Sequence, residues 1–276
     1  MEEYSSDVLR RTLVEIAGEV AGYMRDIAGS EGLDKILRVG AGGDKTREAD
    51  RIAEELAIDL IRREHIRARI VTEESGVIDL HSRPEYVVVM DPLDGSMNYV
   101  SLIPFAAVSL AIAPMGRPFF KNIVAGAVAN IFLKEIYSFA GDKIFVDNTS
   151  YIGPGKSMGS IIIYTSNPRL FNILQQFFRE VKGFRLRILG SASLELAYIG
   201  LGRASIFYHD TGNLRNVDVA AAGAFVERAG LAIVNKNGEP LDFRLDKLYR
   251  IDSIVAGEKD TVELFLGYLR RHSYYG

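Results

Sequence analysis

The stretch Tyr86-Val87-Val88-Val89-Met90-Asp91-Pro92-Leu93-Asp94-Gly95-Ser96-Met97-Asn98-Tyr99 sets narrow limits on the fold. Its unbroken apolar run reads as a buried strand. The strand ends in two acids, with Pro92 presetting a turn between them and Gly95 able to bring the backbone close to a ligand. In open α/β sheets ligands sit beyond the carboxyl ends of strands, so carboxylates placed there point to chemistry.

On either side of this stretch, helical and strand periodicities alternate. Val8, Leu9, Leu13, Ile16, Val20, Met24 and Ile27 recur at helical spacing after Ser5-Ser6, and Gly29 closes that helix. A glycine-rich loop from Gly40 to Asp44 leads into a second helix expected from about Thr46, marked by Ile52, Leu56, Leu60 and Ile61. Ile70-Val71-Thr72 is a short strand that again ends in acids, Glu73 and Glu74, before a turn at Ser75-Gly76. Runs from Ala106 to Ala113, Ile123 to Val128, Glu135 to Ala140 and Lys143 to Val146 predict an antiparallel meander.

Periodicity breaks from Tyr151 to Ser160, where Gly153-Pro154-Gly155 marks a boundary between halves at 1–150 and 151–276. Strands and helices then alternate: Ile161 to Tyr164; a helix starting at Asn167-Pro168; Phe184 to Leu189; a helix after Gly190-Ser191-Ala192-Ser193; Ala204 to Tyr208; and a small-residue helix from about Asp218. Leu231 to Val234, Ile251 to Val255 and an amphipathic helix through Val262, Phe265 and Leu269 complete the chain. The expected class is α/β of mixed α+β character, with a mixed or antiparallel sheet in the first half and an α/β second half.

The 276 residues are 48% apolar, enough for a substantial core, and the net charge of −3 argues against a nucleic-acid partner. No run approaches the roughly 20 apolar residues needed to cross a bilayer, so a cytoplasmic protein with no membrane partner is expected. With no cysteine and only His65, His81, His209 and His272, a metal site would rest mainly on oxygen.

The acids Glu73, Asp91, Asp94 and Asp218 come from three separate segments, and together they suit hard cations such as Mg²⁺. The Asp91-Pro92-Leu93-Asp94 stretch can present both carboxylates and the Leu93 carbonyl together. Two cations about 4 Å apart stabilise both the attacking and the leaving oxygen in phosphoryl transfer. Taken singly, each acid has a plain alternative: Asp91 and Asp94 as turn residues, Glu73-Glu74 as solvated loop acids, Asp218 as a helix cap. Gly95-Ser96 and Gly190-Ser191-Ala192 offer amide and hydroxyl donors to a phosphate. Asp50 with Ser96 or Thr46 is a candidate relay for an attacking water, and Arg187 or Arg215 could hold a distal anion.

Glu73-Glu74-Ser75, Asp91 to Tyr99, and Asp218-Val219-Ala220-Ala221-Ala222-Gly223 together resemble the ordered motifs of the inositol monophosphatase family. With the Asp44 to Asp50 loop and Gly190-Ser191-Ala192, the similarity extends over nearly the whole chain. Within the family it is most similar to the archaeal type that combines inositol-1-monophosphatase and fructose-1,6-bisphosphatase activities. The resemblance implies a layered αβαβα sandwich of the sugar-phosphatase kind, commonly dimeric and inhibited by Li⁺. It implies hydrolysis of sugar and polyol phosphates with two or three Mg²⁺ per site, Mn²⁺ being able to take their place. By the same resemblance Glu73, Asp91, the Leu93 carbonyl, Asp94 and Asp218 would hold metal, with Glu74 behind them. Asp50 and Ser96 would orient the water; Asp94, Gly95 and Ser96 would touch phosphate; and Arg187, Ala192 and the region of Thr211 would meet the rest of the substrate. Val217 stands where the family often has Trp, Ser96 where it has threonine, and Thr211 where it often has a charged residue. Alternatives are a nucleotide 3′-phosphatase of the same superfamily, acting on 3′-phosphoadenosine 5′-phosphate, and a catalytically silent binding protein.

Overall fold

The structure is a computed structural model that describes residues 4–155, 157, 159–272 and 274; Lys156 and Met158, inside the expected boundary segment, lie outside the described residues. The first half runs α1 (Ser6–Ile27), β1 (Ile36–Val39), β2 (Lys45–Arg47), α2 (Glu48–Arg63), β3 (Ala68–Thr72), β4 (Gly76–Asp79), β5 (Tyr86–Asp94), α3 (Ser96–Val100), β6 (Ala107–Pro114), β7 (Ala125–Asn130), β8 (Ile136–Ala140), β9 (Lys143–Val146) and β10 (Thr149–Tyr151). The second half runs β11 (Ser160–Tyr164), α4 (Arg169–Glu180), β12 (Arg185–Arg187), α5 (Ala192–Gly200), β13 (Ile206–His209), β14 (Leu214–Arg215), α6 (Asn216–Arg228), β15 (Ala232–Val234), β16 (Arg250–Ile251), β17 (Ile254–Gly257) and α7 (Lys259–Arg271).

Eight strands form one sheet in the order β10-β9-β8-β7-β6-β5-β3-β4, and five form another in the order β12-β11-β13-β17-β15. The expected meander, β6 to β9, is antiparallel throughout, and β5 and β10 extend it antiparallel at either end, while β3 pairs β5 in parallel. In the second sheet β11 pairs β12 and β13 in parallel, and β17 runs against β13 and β15.

Strand alternation builds the layers. Because successive side chains face opposite sides of a sheet, Val88 and Met90 of β5 pack with α1 and α2, whereas Val87 and Val89 join a core made with α5 and α6. Ile162 of β11 belongs to that same middle core, while Ile161 and Ile163 face α4 and α7. The order of layers is therefore helix, sheet, helix, sheet, helix. The alanine-rich face of α6 is what lets the middle helices lie close between two sheets, since Ala220, Ala221, Ala222 and Ala224 are all buried.

Several local expectations need correction. Asp91 and Asp94 do not follow the strand but lie within β5, where the register against β6 shifts between them. That bulge re-aims the two side chains at the carboxyl end of an interior strand. The second helix starts at Glu48, because Lys45–Arg47 pairs with Ile36–Val39 as a separate ribbon. Ile251 to Val255 is two strands, β16 on β14 and β17 in the second sheet. Among the described residues no helix is long and apolar enough to cross a membrane.

Candidate active site

A cleft of about 610 Å³ opens where the ends of β3 and β5, the starts of α2, α3, α5 and α6, and the loop before β2 meet. Two helix starts are built alike. In Arg47-Glu48-Ala49-Asp50 the Asp50 carboxylate accepts the Arg47 amide at 2.7 Å, and in Arg215-Asn216-Val217-Asp218 the Asp218 carboxylate accepts the Arg215 amide at 2.7 Å. A carboxylate three residues into a helix that takes the capping residue's N–H is fixed in direction and favoured by the helix dipole. Both acids face the cleft.

Glu73 at the end of β3, Asp91 in β5 and Asp218 in α6 converge: each offers an oxygen, and these oxygens all lie within 4.8 Å of one another. Burial, then the neighbouring charges of Asp94, Glu73 and Asp218, push the Asp91 carboxyl well above the ordinary range; burial and the charges of Glu73 and Asp94 do the same to Asp218. Three oxygen acids gathered this closely, with Arg215 their one ion-pair partner among the described residues, are a donor set for a hard divalent cation. Asp91 keeps its orientation by accepting the Leu93 amide at 3.0 Å.

Asp94 lines the cleft but stands outside that trio. One of its oxygens accepts the Ser191 hydroxyl at 2.7 Å, the Ser193 amide at 2.6 Å, and the Ser193 hydroxyl. These bonds join the first sheet to the start of α5. Gly95 follows at φ 90°, and a Cβ there would lie 3.0 Å from the carbonyl oxygens of Gly190 and Phe105, so the position needs glycine both for its conformation and for its clearance. Asn98 closes the arrangement by donating to Phe105 O at 2.9 Å and Leu189 O at 2.7 Å.

Asp50 is 7% exposed, and burial raises its carboxyl against the opposing bonds from the Arg47 amide and the Ser96 hydroxyl. Thr46 is buried beneath the cleft and donates its hydroxyl to Glu74, whose carboxyl burial lifts to about 7. Leu93, Gly95, Ser96 and Ala192 line the cleft. Arg187 does not reach it: the side chain is exposed and donates to the Leu186 carbonyl at 2.8 Å. Thr211 also stands off the lining, accepting the Asn213 amide at 3.3 Å. Arg215 is not free for a distal anion, because it is paired with Glu73 and Asp44.

Lys45, Arg47, His209 and Asn213 line the cleft without having been singled out from the sequence. The two basic residues follow Asp44 in a segment already tied to the site, which is the signal that could have found them. His209 stacks on Tyr164 at 5.3 Å, and burial lowers its ring to about 4, but one histidine at a strand end carries no such signal.

The chain is similar to known proteins over most of its length. The profile of the Inositol monophosphatase family matches residues 7–274. The chain is 34% identical over 256 residues to an inositol-1-monophosphatase of Aeropyrum pernix, covering 91% of this chain and 93% of that protein. It is 31% identical over 277 residues to a fructose-1,6-bisphosphatase/inositol-1-monophosphatase of Methanothermobacter thermautotrophicus, covering 95% and 97%. A solved inositol monophosphatase–fructose 1,6-bisphosphatase superposes with a TM-score of 0.79 at 26% identity, over 94% of this chain and 98% of that one. Through a match that spans almost its whole length, the chain belongs to the inositol monophosphatase family.

Proposed function

We propose that the protein is a divalent-cation-dependent phosphomonoesterase acting on sugar and polyol phosphates, with inositol 1-phosphate and fructose 1,6-bisphosphate as its leading substrates. The observation that carries this reading is the convergence of Glu73, Asp91 and Asp218, from three elements, within 4.8 Å at one cleft. Mg²⁺ is the proposed ion, two or three per site, with Mn²⁺ as a substitute. Glu73, Asp91, Asp94, Asp218 and the Leu93 carbonyl would hold it. Bound there, such cations supply Lewis acidity and a nucleophilic water at neutral pH.

The chain's own groups do the rest. Asp50 holds the Ser96 hydroxyl as donor, which leaves the Ser96 oxygen free to accept from, and so orient, the attacking water. Thr46 is spent on Glu74 and steadies that carboxyl beside Glu73. The Gly95 and Ser96 amides, at the start of α3, would receive phosphate oxygens, and Asp94, locked by Ser191 and Ser193, fixes the distance between this loop and α5. Ala192 offers a small wall that leaves room for a sugar ring.

The family relationship also supports a homodimer, sensitivity to Li⁺ and a cytoplasmic location, which sedimentation, inhibition and fractionation would each test. We further propose the halves 1–150 and 151–276 as the working division of the chain, the first supplying Glu73, Asp91 and Asp94 and the second Asp218. Phosphate release measured side by side from inositol 1-phosphate, fructose 1,6-bisphosphate and 3′-phosphoadenosine 5′-phosphate, with Mg²⁺, tests the reading. Turnover of the first two is expected. Turnover of the nucleotide alone would replace the proposed substrate class, and none on any would favour a binding protein.

A further inference from the structure

Arg215 caps α6 and lines the cleft with a side chain only 7% exposed. One terminal nitrogen lies 2.6 Å from Glu73, the other pairs with Asp44, and its Nε is buried without a partner among the described residues. Its own amide holds Asp218 at 2.7 Å. The loop carrying Asp44 is shaped around it: a Cβ on Gly42 would lie 2.8 Å from the guanidinium carbon. That loop is strapped to the end of β3 by bonds from Gly42 to Glu73 O at 2.8 Å and from Ala41 to Glu74 O at 3.0 Å. A fixed cation is thus held against one of three mutually repelling carboxylates by two separate elements.

We infer that Arg215 is a built-in counter-cation of the carboxylate cluster that lowers the affinity of the site for divalent ions by competing for Glu73. The inference rests on the cation reading of this cleft. A positive charge fixed at hydrogen-bond distance from a ligand oxygen already offsets part of the cluster's charge, and a cation taking Glu73 must break or share that pair. Were Arg215 only a brace that aims Glu73, its loss would weaken binding instead.

Mn²⁺ binding to the full-length, metal-stripped protein without substrate, followed by electron paramagnetic resonance of the free ion, separates the two. Arg215→Met should bind Mn²⁺ about tenfold more tightly than wild type, the ordinary scale of coupling between neighbouring sites. Arg215→Gln, which loses the charge but keeps a donor, should also tighten binding and serves if the Met variant does not fold. Arg215→Lys keeps the charge and should stay close to wild type. Unchanged or weaker binding in the neutral variants, or equal tightening in the Lys variant, would overturn the inference while leaving the cation site standing. Absence of Mn²⁺ uptake by wild type would overturn both.

Discussion

Asp91 is 7% exposed and faces the charges of Asp94, Glu73 and Asp218. A cation bound among them would make each easier to ionise, and without one their mutual repulsion opposes ionisation. Asp91→Asn should therefore lower phosphatase activity by at least about 100-fold while raising the stability of the metal-free protein by about 1 kcal/mol, since an amide oxygen still accepts from Leu93 and one repelling charge is gone. Paired kinetic and denaturation measurements would check this; a variant both inactive and less stable would mean that Asp91 is held for packing. Much of the candidate site was legible because its residues carry local chemistry. Asp91 and Asp94 end an apolar run, and Asp218 opens a small-residue helix. Arg187 misled because motif proximity along the chain said nothing of where a three-residue strand, β12, directs its side chains. The position of His209 depends on stacking against Tyr164, a contact made between separate strands and invisible in either one.

At the scale of elements, the register shift in β5 and the left-handed Gly95 bring the acids and the start of α3 to the cleft together. Gly95→Ala should cost about 1–3 kcal/mol, because a positive φ and two carbonyl oxygens at 3.0 Å both oppose a methyl group. It should also reduce turnover at least tenfold by moving Ser96 away from Asp50, a shift that a melting curve and a kcat measurement would register separately. The long elements were readable from periodicity: α1, β5 and α7 each bury one consistent pattern. The ribbon of β1 and β2, the hairpin strand β4 and the five-residue α3 were not. They are short enough that tertiary pairing, as between Ile36–Val39 and Lys45–Arg47, decides their state rather than local preference.

Across the whole molecule, the middle helices link the two sheets, and Glu195 sits at that junction. Fully buried, it accepts from the Tyr164 hydroxyl and the Leu189 amide, both at 2.8 Å, and burial pushes its carboxyl from 4.5 up to about 8. A carboxyl raised on folding stabilises most below its unfolded value, and that contribution is lost as pH climbs through the folded value. Denaturation of the metal-free protein should accordingly show stability falling between pH 4.5 and pH 8. Glu195→Gln should remove at least about 1.4 kcal/mol of that fall, the equivalent of one pKa unit. An unchanged slope would mean that Glu195 titrates normally. Divalent cations should act in the opposite direction, raising the melting temperature as any ligand of the native state does.

The proposed role of Glu73, Asp91 and Asp218 is to hold the cations that drive phosphoester hydrolysis. The most direct measurement is phosphate release from inositol 1-phosphate by metal-stripped protein during a Mg²⁺ titration. No release before Mg²⁺ and saturable recovery with it, absent in Asp91→Asn, is the predicted result. Hydrolysis that survives stripping and ignores added Mg²⁺ would contradict the account.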